Sequence, residues 1–242
     1  MKFARFLLSL ALMALLAGCA PVDSINPLYT EHGVVFDPEL LGQWGSETEG
    51  LNFARLADDG YSLMLSCKND TGQIATVGFE GHLVDLQGHR FLDVTWKQVG
   101  TDDLSRNIPE VQVTRNVNGK VEIEPRLTGI APGIYWEFVP GESADGRAQI
   151  AVRPREAHEF FKVVLQDEGT TLRLIQLDDS WVRRQIEEGK LGIDHEKLQS
   201  DDIVLTASTH DLQQFVLDHV DDEDAFTGGM TVKRVDQTPC RD

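Results

Sequence analysis

Cysteine is scarce, three in 242 residues. That is too few for a disulfide-dense scaffold or a thiolate-rich zinc module. Basic residues are scarce as well: 22 Lys+Arg stand against 40 Asp+Glu, a formal net charge of −18 and a pI near 4.7. A chain this acidic lacks the positive face that phosphate neutralisation requires, which excludes nucleic acid as a partner. No Gly-x-x-x-x-Gly-Lys, Gly-x-Ser-x-Gly or His-Glu-x-x-His occurs. The phosphate-cradling loop, the serine nucleophile elbow and the zinc-binding helix are therefore missing. Long apolar runs are absent too. Phe6–Ala17 is twelve residues, short of the ~20 that cross a bilayer as a helix. What is present is a hydrophobic fraction of 41% beside 26% charged residues, enough to bury a core and to exclude wholesale disorder.

The N-terminus is the most specific segment. Lys2 and Arg5 precede the apolar run, as the positive and hydrophobic regions of a secretory signal do. Leu16-Ala17-Gly18-Cys19 follows and resembles the lipobox of bacterial lipoproteins. The resemblance implies cleavage before Cys19, a diacylglyceryl thioether on its sulfur and a further palmitate-like acyl chain on the new N-terminus. Two or more chains at one residue give stable anchoring, where one binds only marginally. Residue 20 is Ala rather than Asp. In a Gram-negative host that resembles an outer-membrane rather than an inner-membrane address. The expected location is the bacterial cell envelope, on the membrane through the Cys19 lipid. Removing residues 1–18 takes away Lys2 and Arg5 and no acid, leaving a charge of −20. Such a body is expected to stand off anionic headgroups, with Ala20–Thr30 as a short Pro-containing tether and 31–242 as a single mainly-β domain.

Cys67 and Cys240 remain. In an oxidising envelope they can pair and staple the C-terminal tail to the body. The alternative is two separate thiols, one in a strand and one in the tail.

Along the chain, turn signals at Asp58-Asp59-Gly60, Asn69–Gly72 and Gln87-Gly88 divide strands near 51–57, 61–67, 74–85 and 90–96. Gly78 and Gly81 lie inside the third and suggest a sharp bend. Phe53, Tyr61, Leu63, Leu65, Phe79, Leu83, Phe91 and Trp96 are the bulky candidates for a common interior. Farther on, Asn118-Gly119 marks a hairpin, and strands are expected at 134–139, 148–152, 159–166, 170–177, 203–206 and 230–235. Asp178 or Asp179 can cap a helix ending before Gly189, with Trp181, Val182, Gln185 and Ile186 inward. Ser208, with Asp211 three residues on, can cap a second, whose Leu212, Phe215, Val216 and His219 share a face.

Ile25–Tyr29 with Phe36–Trp44, and Leu205–Ser208 with Leu212–Phe215 and Asp222–Phe226, resemble a group of uncharacterised bacterial lipoproteins. The resemblance covers most of the mature chain except roughly 98–148, which reads as an insertion. It implies architecture and address, and no activity. Gly42-Gln43-Trp44 also resembles the Gly-x-Trp of lipocalin-like barrels, where the Trp plugs one end.

The resulting expectation is an α+β, mainly-β fold: an antiparallel lipocalin-like barrel or meander with two helices in its last third. His82 and His89 could converge with Asp85 or Asp93, whereas His210 and His219 diverge on their helix. Asp221–Asp224 lacks the order of a calcium loop. No metal or cofactor is expected. The expected role is non-enzymatic binding of an apolar small molecule or a protein partner. One alternative is an assembly factor whose acidic surface docks a basic partner; another is a hydrolase with a dispersed site. Bulky residues crowding the interior would favour docking over a small ligand.

Overall fold

The computed structural model describes residues 22–31, 33–46, 49–57, 59–68, 74–96, 112–115, 121–124, 127–131, 133–142, 148–198 and 200–235. Alternating apolar residues between tight turns build a meander: β3 (Gly42–Gly45), β4 (Gly50–Arg55), β5 (Tyr61–Lys68), β6 (Ile74–Leu86) and β7 (His89–Trp96), each antiparallel to the next. β13 (His158–Gln166) joins β7, and β14 (Thr171–Leu177) and β17 (Phe226–Lys233) follow outward.

The sheet is not closed into a barrel, which corrects the lipocalin-like expectation. β17 and β3 form no ladder among the described residues: just past the end of β17, Arg234 makes an isolated bridge to Trp44, and the Val235 N–H donates to the Gln43 carbonyl at 2.9 Å. The reason lies in β3. It is four residues long, with Gly42 (φ 107°) and Gly45 (φ 86°) in left-handed conformations at its ends. A strand so bounded cannot extend a ladder. The sheet also forks. His158 of β13 pairs with β1 (Asp23–Ser24), while Phe161–Gln166 pair with β14. β1 lies parallel to β16 (Ile203–Leu205), which carries β15 (His195–Lys197), and β2 (Val34–Val35) adds to β6.

The region read as an insertion builds two separate small sheets. One is β8 (Gln112–Arg115) with β9 (Val121–Glu124). The other is β10 (Leu127–Ala131), β11 (Ile134–Glu142) and β12 (Ala148–Glu156). Asn118-Gly119, between β8 and β9, lies outside the described residues.

Both faces of the large sheet are covered. Inside its curl, Trp44, Phe53, Tyr61, Leu63, Leu92 and Phe161 form one core. On the outer face, Val84, Phe91, Phe160 and Leu177 pack against α1 (Asp179–Glu187) and α2 (Thr209–His219). Residues 91–94 are buried without a break because alternate side chains enter different cores. Phe91 therefore does not share an interior with Trp96. Five residues apart on one strand, they point to opposite faces.

The helices start where their caps dictate. The Asp178 carboxylate accepts the Trp181 N–H at 2.7 Å, and the Ser208 hydroxyl accepts the Asp211 N–H at 3.3 Å. Gly189, at φ 64°, follows the end of α1.

The expected tether is corrected as well. From Val22 onward it is part of the fold: Val22, Ser24, Ile25 and Leu28 are buried, Leu28 completely. Among the described residues no helix is long and apolar enough to cross a membrane.

Candidate functional site

β13 opens with two polar residues that point to opposite faces of the sheet. His158, on the outer face, bonds Asp93 of β7 through Nδ1 at 2.8 Å. The second Asp93 oxygen accepts the buried Leu28 N–H at 2.6 Å. Tyr29 then lies over His82 with ring centroids 4.4 Å apart, and edge-on to His158 at 6.3 Å. Burial holds His82 below the usual imidazole range. Asp93 and His158 thus fasten the N-terminal segment to the sheet.

Other side chains complete this clamp. Arg155 donates to the Ile25 carbonyl (2.8 Å) and to the Asn26 side-chain oxygen (2.7 Å). The Asn26 amide donates to the Ala207 carbonyl at 2.9 Å. Thr209 and Gln213 of α2 donate to the Pro27 and Leu28 carbonyls, each at 2.8 Å.

Glu159 faces the inside of the curl. It is 4% exposed, and its Oε1 accepts the Trp96 indole N–H at 3.2 Å. The antiparallel Ser24–His158 pairing carries Asp23 alongside it, and the Tyr135 hydroxyl donates to Asp23. Burial, reinforced by the Asp23 charge, pushes Glu159 up to about 8. Burial pushes Asp23 up to about 6, against the Tyr135 hydrogen bond. At neutral pH Glu159 is therefore mostly a neutral acid. The sequence reading missed this group. Its local signal was an acid or His interrupting apolar strand residues: Asp93 after Phe91-Leu92, and His158-Glu159 before Phe160-Phe161.

Glu159 also borders the cavity inside the curl, with Leu63, Phe79, Leu92, Phe161 and Met230. Its volume is about 50 Å³, whereas sites for small organic ligands occupy roughly 300–1,000 Å³. Trp44 is fully buried in the same core. Its indole N–H donates to the Leu40 carbonyl at 2.9 Å, and the Arg234 guanidinium lies 4.1 Å over its ring. Arg234 also donates to the Leu41 carbonyl at 2.9 Å, to the Gly169 carbonyl at 3.3 Å and to the Glu39 carbonyl.

His82 and His89, which the sequence allowed to converge, do not. His82 faces Asp93 in the ladder, whereas His89 faces Leu86, four residues along β6, a separation of roughly 13 Å. Asp85 is three residues from His82 and so on the opposite face. Among the described residues no cluster of three potential metal ligands occurs. Cys67 lies on β5, half-buried, and burial raises its thiol. Cys19 and Cys240 lie outside the described residues.

A second concavity of about 330 Å³ runs between the 190–194 segment and α2, lined by Asp194, Asp211, Gln214, Asp218, His219 and Lys190. Lys190 is paired with Glu188 at 2.7 Å, so the groove is acidic on balance. His219 packs edge-on to Trp181 and Phe215.

No protein-family model, curated protein or solved structure matches the chain.

Proposed function

We propose that this chain is a lipid-anchored protein of the bacterial envelope, held in the outer membrane through Cys19, which acts without catalysis by docking a protein partner with a basic surface. The observation that carries the docking reading is the filled interior: about 50 Å³ inside the curl leaves room for a water or two and not for a ligand. Binding is thereby moved from the inside of the sheet to its surface. That surface belongs to a chain of formal charge −18, which steers a cationic partner and repels acidic ones. The acidic groove beside α2 is the concave part of it. The lipobox-like Leu16–Cys19 supplies the anchor.

Native mass spectrometry of the protein extracted from its own membrane tests both halves. The mature subunit is expected to begin at Cys19 and to carry acyl mass, and a Cys19→Ser chain to lose it. A partner subunit is expected to co-purify at low salt and to dissociate as NaCl is raised. The double substitution Asp194→Asn with Asp218→Asn should lower its retention. A retained apolar small molecule without a protein partner would overturn docking in favour of ligand carriage.

A further inference from the structure

We propose that the anchor holds the folded body directly on the bilayer in one orientation, with the face around the N-terminal end of β1 against the phospholipid headgroups. The inference rests on lipidation of Cys19. It follows from chain length and from the burial of Val22. Only Ala20 and Pro21 separate Cys19 from Val22, and Val22 is already 4% exposed, packed in the outer core. Three Cα–Cα steps reach at most about 11 Å in any conformation. The thioether places Cys19 at the level of the lipid glycerols. The headgroup layer of one leaflet is roughly 5–7 Å thick, so about half of that reach is used before the chain leaves the membrane. A domain of this length has a radius of gyration of about 17 Å. Even at full extension, three steps of chain are shorter than the radius, so the body cannot roll its far side to the bilayer.

The contacting face is set by what surrounds Val22. Asp23 lies beside Val204 in the parallel β1–β16 pairing, which places Val22 next to Ile203 and the 200–202 turn just beyond it. Val22 shares its core with Leu177, Trp181 and Val182, at the start of α1. Arg183 of α1 ties the two together by donating to the Asp201 carbonyl at 2.7 Å.

This face carries charges of both signs in contact. Arg183 pairs with Asp179 at 2.6 Å and with Asp201 at 3.1 Å, and Lys197 pairs with Asp201 at 2.6 Å. Exposed Asp202 accepts the Ser200 hydroxyl at 2.6 Å beside them. Mixed charge, with no exposed large hydrophobic residue among the described residues of this face, suits a zwitterionic headgroup layer. It gives no means of entering hydrocarbon. Contact is enforced by the short linker and tolerated by this face, although the acidic molecule as a whole is repelled by anionic lipid.

The test uses the full mature lipoprotein in vesicles of phosphatidylethanolamine with a minority of phosphatidylglycerol. Cys67→Ser and Cys240→Ser remove the other thiols. A single fluorophore is placed at Ser200→Cys beside β1, or at Lys68→Cys. Lys68 is exposed and ends β5 opposite Ile74, eight residues along β6 from His82, roughly 26 Å away along the strand. Lipids with a nitroxide on the headgroup are the quencher. Quenching is expected to be several-fold stronger at position 200 than at 68. A Gly/Ser insert of about 20 residues between Pro21 and Val22 is expected to abolish the difference, since its coil spans about 25 Å. Equal quenching at both positions in protein whose mass shows the Cys19 lipid would overturn the orientation and leave the anchor standing. An unmodified Cys19, with protein that does not float with the vesicles, would overturn the anchor and the orientation together.

Discussion

Glu159 is an acid in an apolar interior, supported by one indole N–H and faced by a second buried acid, Asp23. Its folded affinity for a proton, raised from 4.5 to about 8, exceeds that of the unfolded chain. Between those values the folded state holds a proton that the unfolded state has released. This contribution to stability is therefore complete below about pH 4.5 and is lost as pH rises to about 8. Asp23 acts with the same sign, from 3.8 to about 6. The isosteric Glu159→Gln keeps an acceptor for Trp96 and removes the titration. Its melting temperature is expected to vary less than wild type between pH 6 and pH 8, above the Asp23 range, and to exceed it by several degrees at the alkaline end. Thermal unfolding across pH reads this directly, and parallel curves for the two proteins would refute it. Asp93 has a structural task on the other face. It is 1% exposed and accepts both the Leu28 N–H and the His158 ring. Asp93→Ala leaves the Leu28 donor buried without a partner, which costs about 3 kcal/mol with the loss of the His158 bond. Urea unfolding measures the loss. Hydrogen exchange should locate it, as faster exchange at Leu28 than in β5.

At the scale of elements, the helices are governed by local chemistry. Ser208→Ala should cost about 1 kcal/mol, the usual worth of an N-cap hydroxyl, and should speed amide exchange in the first turn of α2 while leaving α1 unchanged. That locality made the helices legible. Asp178, Gly189, Ser208 and the apolar stripes lie within a few residues of the ends they define, so the sequence shows where each helix begins and which face it buries. The meander β4–β7 was legible for the same reason, since each turn sits beside the strands it joins. The failures have a common physical cause. β1 is two residues in a segment with Pro27, and nothing in its own pattern marks it as a strand. It becomes one because β13 and β16 present free edges on either side. The Asp93–Leu28 bond spans 65 residues and the Arg234–Leu41 bond 193. No short window contains both partners. Closure of the sheet was misjudged likewise. The Gly-x-Trp at Gly42–Trp44 identifies the strand that would meet the last one, but whether the ladder zips depends on the short length of β3 and the fork at β13. Strand parity and spacing also decide which polar residues meet: His82 shares a face with Asp93 and not with Asp85, and His89 lies four ladder steps away.

For the molecule as a whole, 40 acids against 22 bases act on every equilibrium it enters. Several of its cations are already engaged: Arg55, Arg90, Arg155, Arg183, Lys190 and Lys197 all sit within ion pairs. Pairing leaves the sum unchanged: acids exceed bases by 18, and that excess repels itself across the folded surface. Salt shortens the range of that repulsion from about 30 Å at 0.01 M to about 10 Å at 0.1 M. It weakens the exposed pairs as well, but each of those is worth under about 1 kcal/mol. The melting temperature is thus expected to rise by several degrees as NaCl is raised from low to physiological strength at constant pH. A fall would mean that the ion pairs, with the Arg183–Asp201–Lys197 group first among them, outweigh the net repulsion. Docking of a basic partner carries the opposite sign, because the same ions that relieve the free protein screen the complex. Following both quantities in one salt series separates them. A protein that becomes more stable while its partner dissociates behaves as a charged surface in search of cations. A partner that stays bound as salt rises would be held by apolar contact and would place the interface away from the acidic groove.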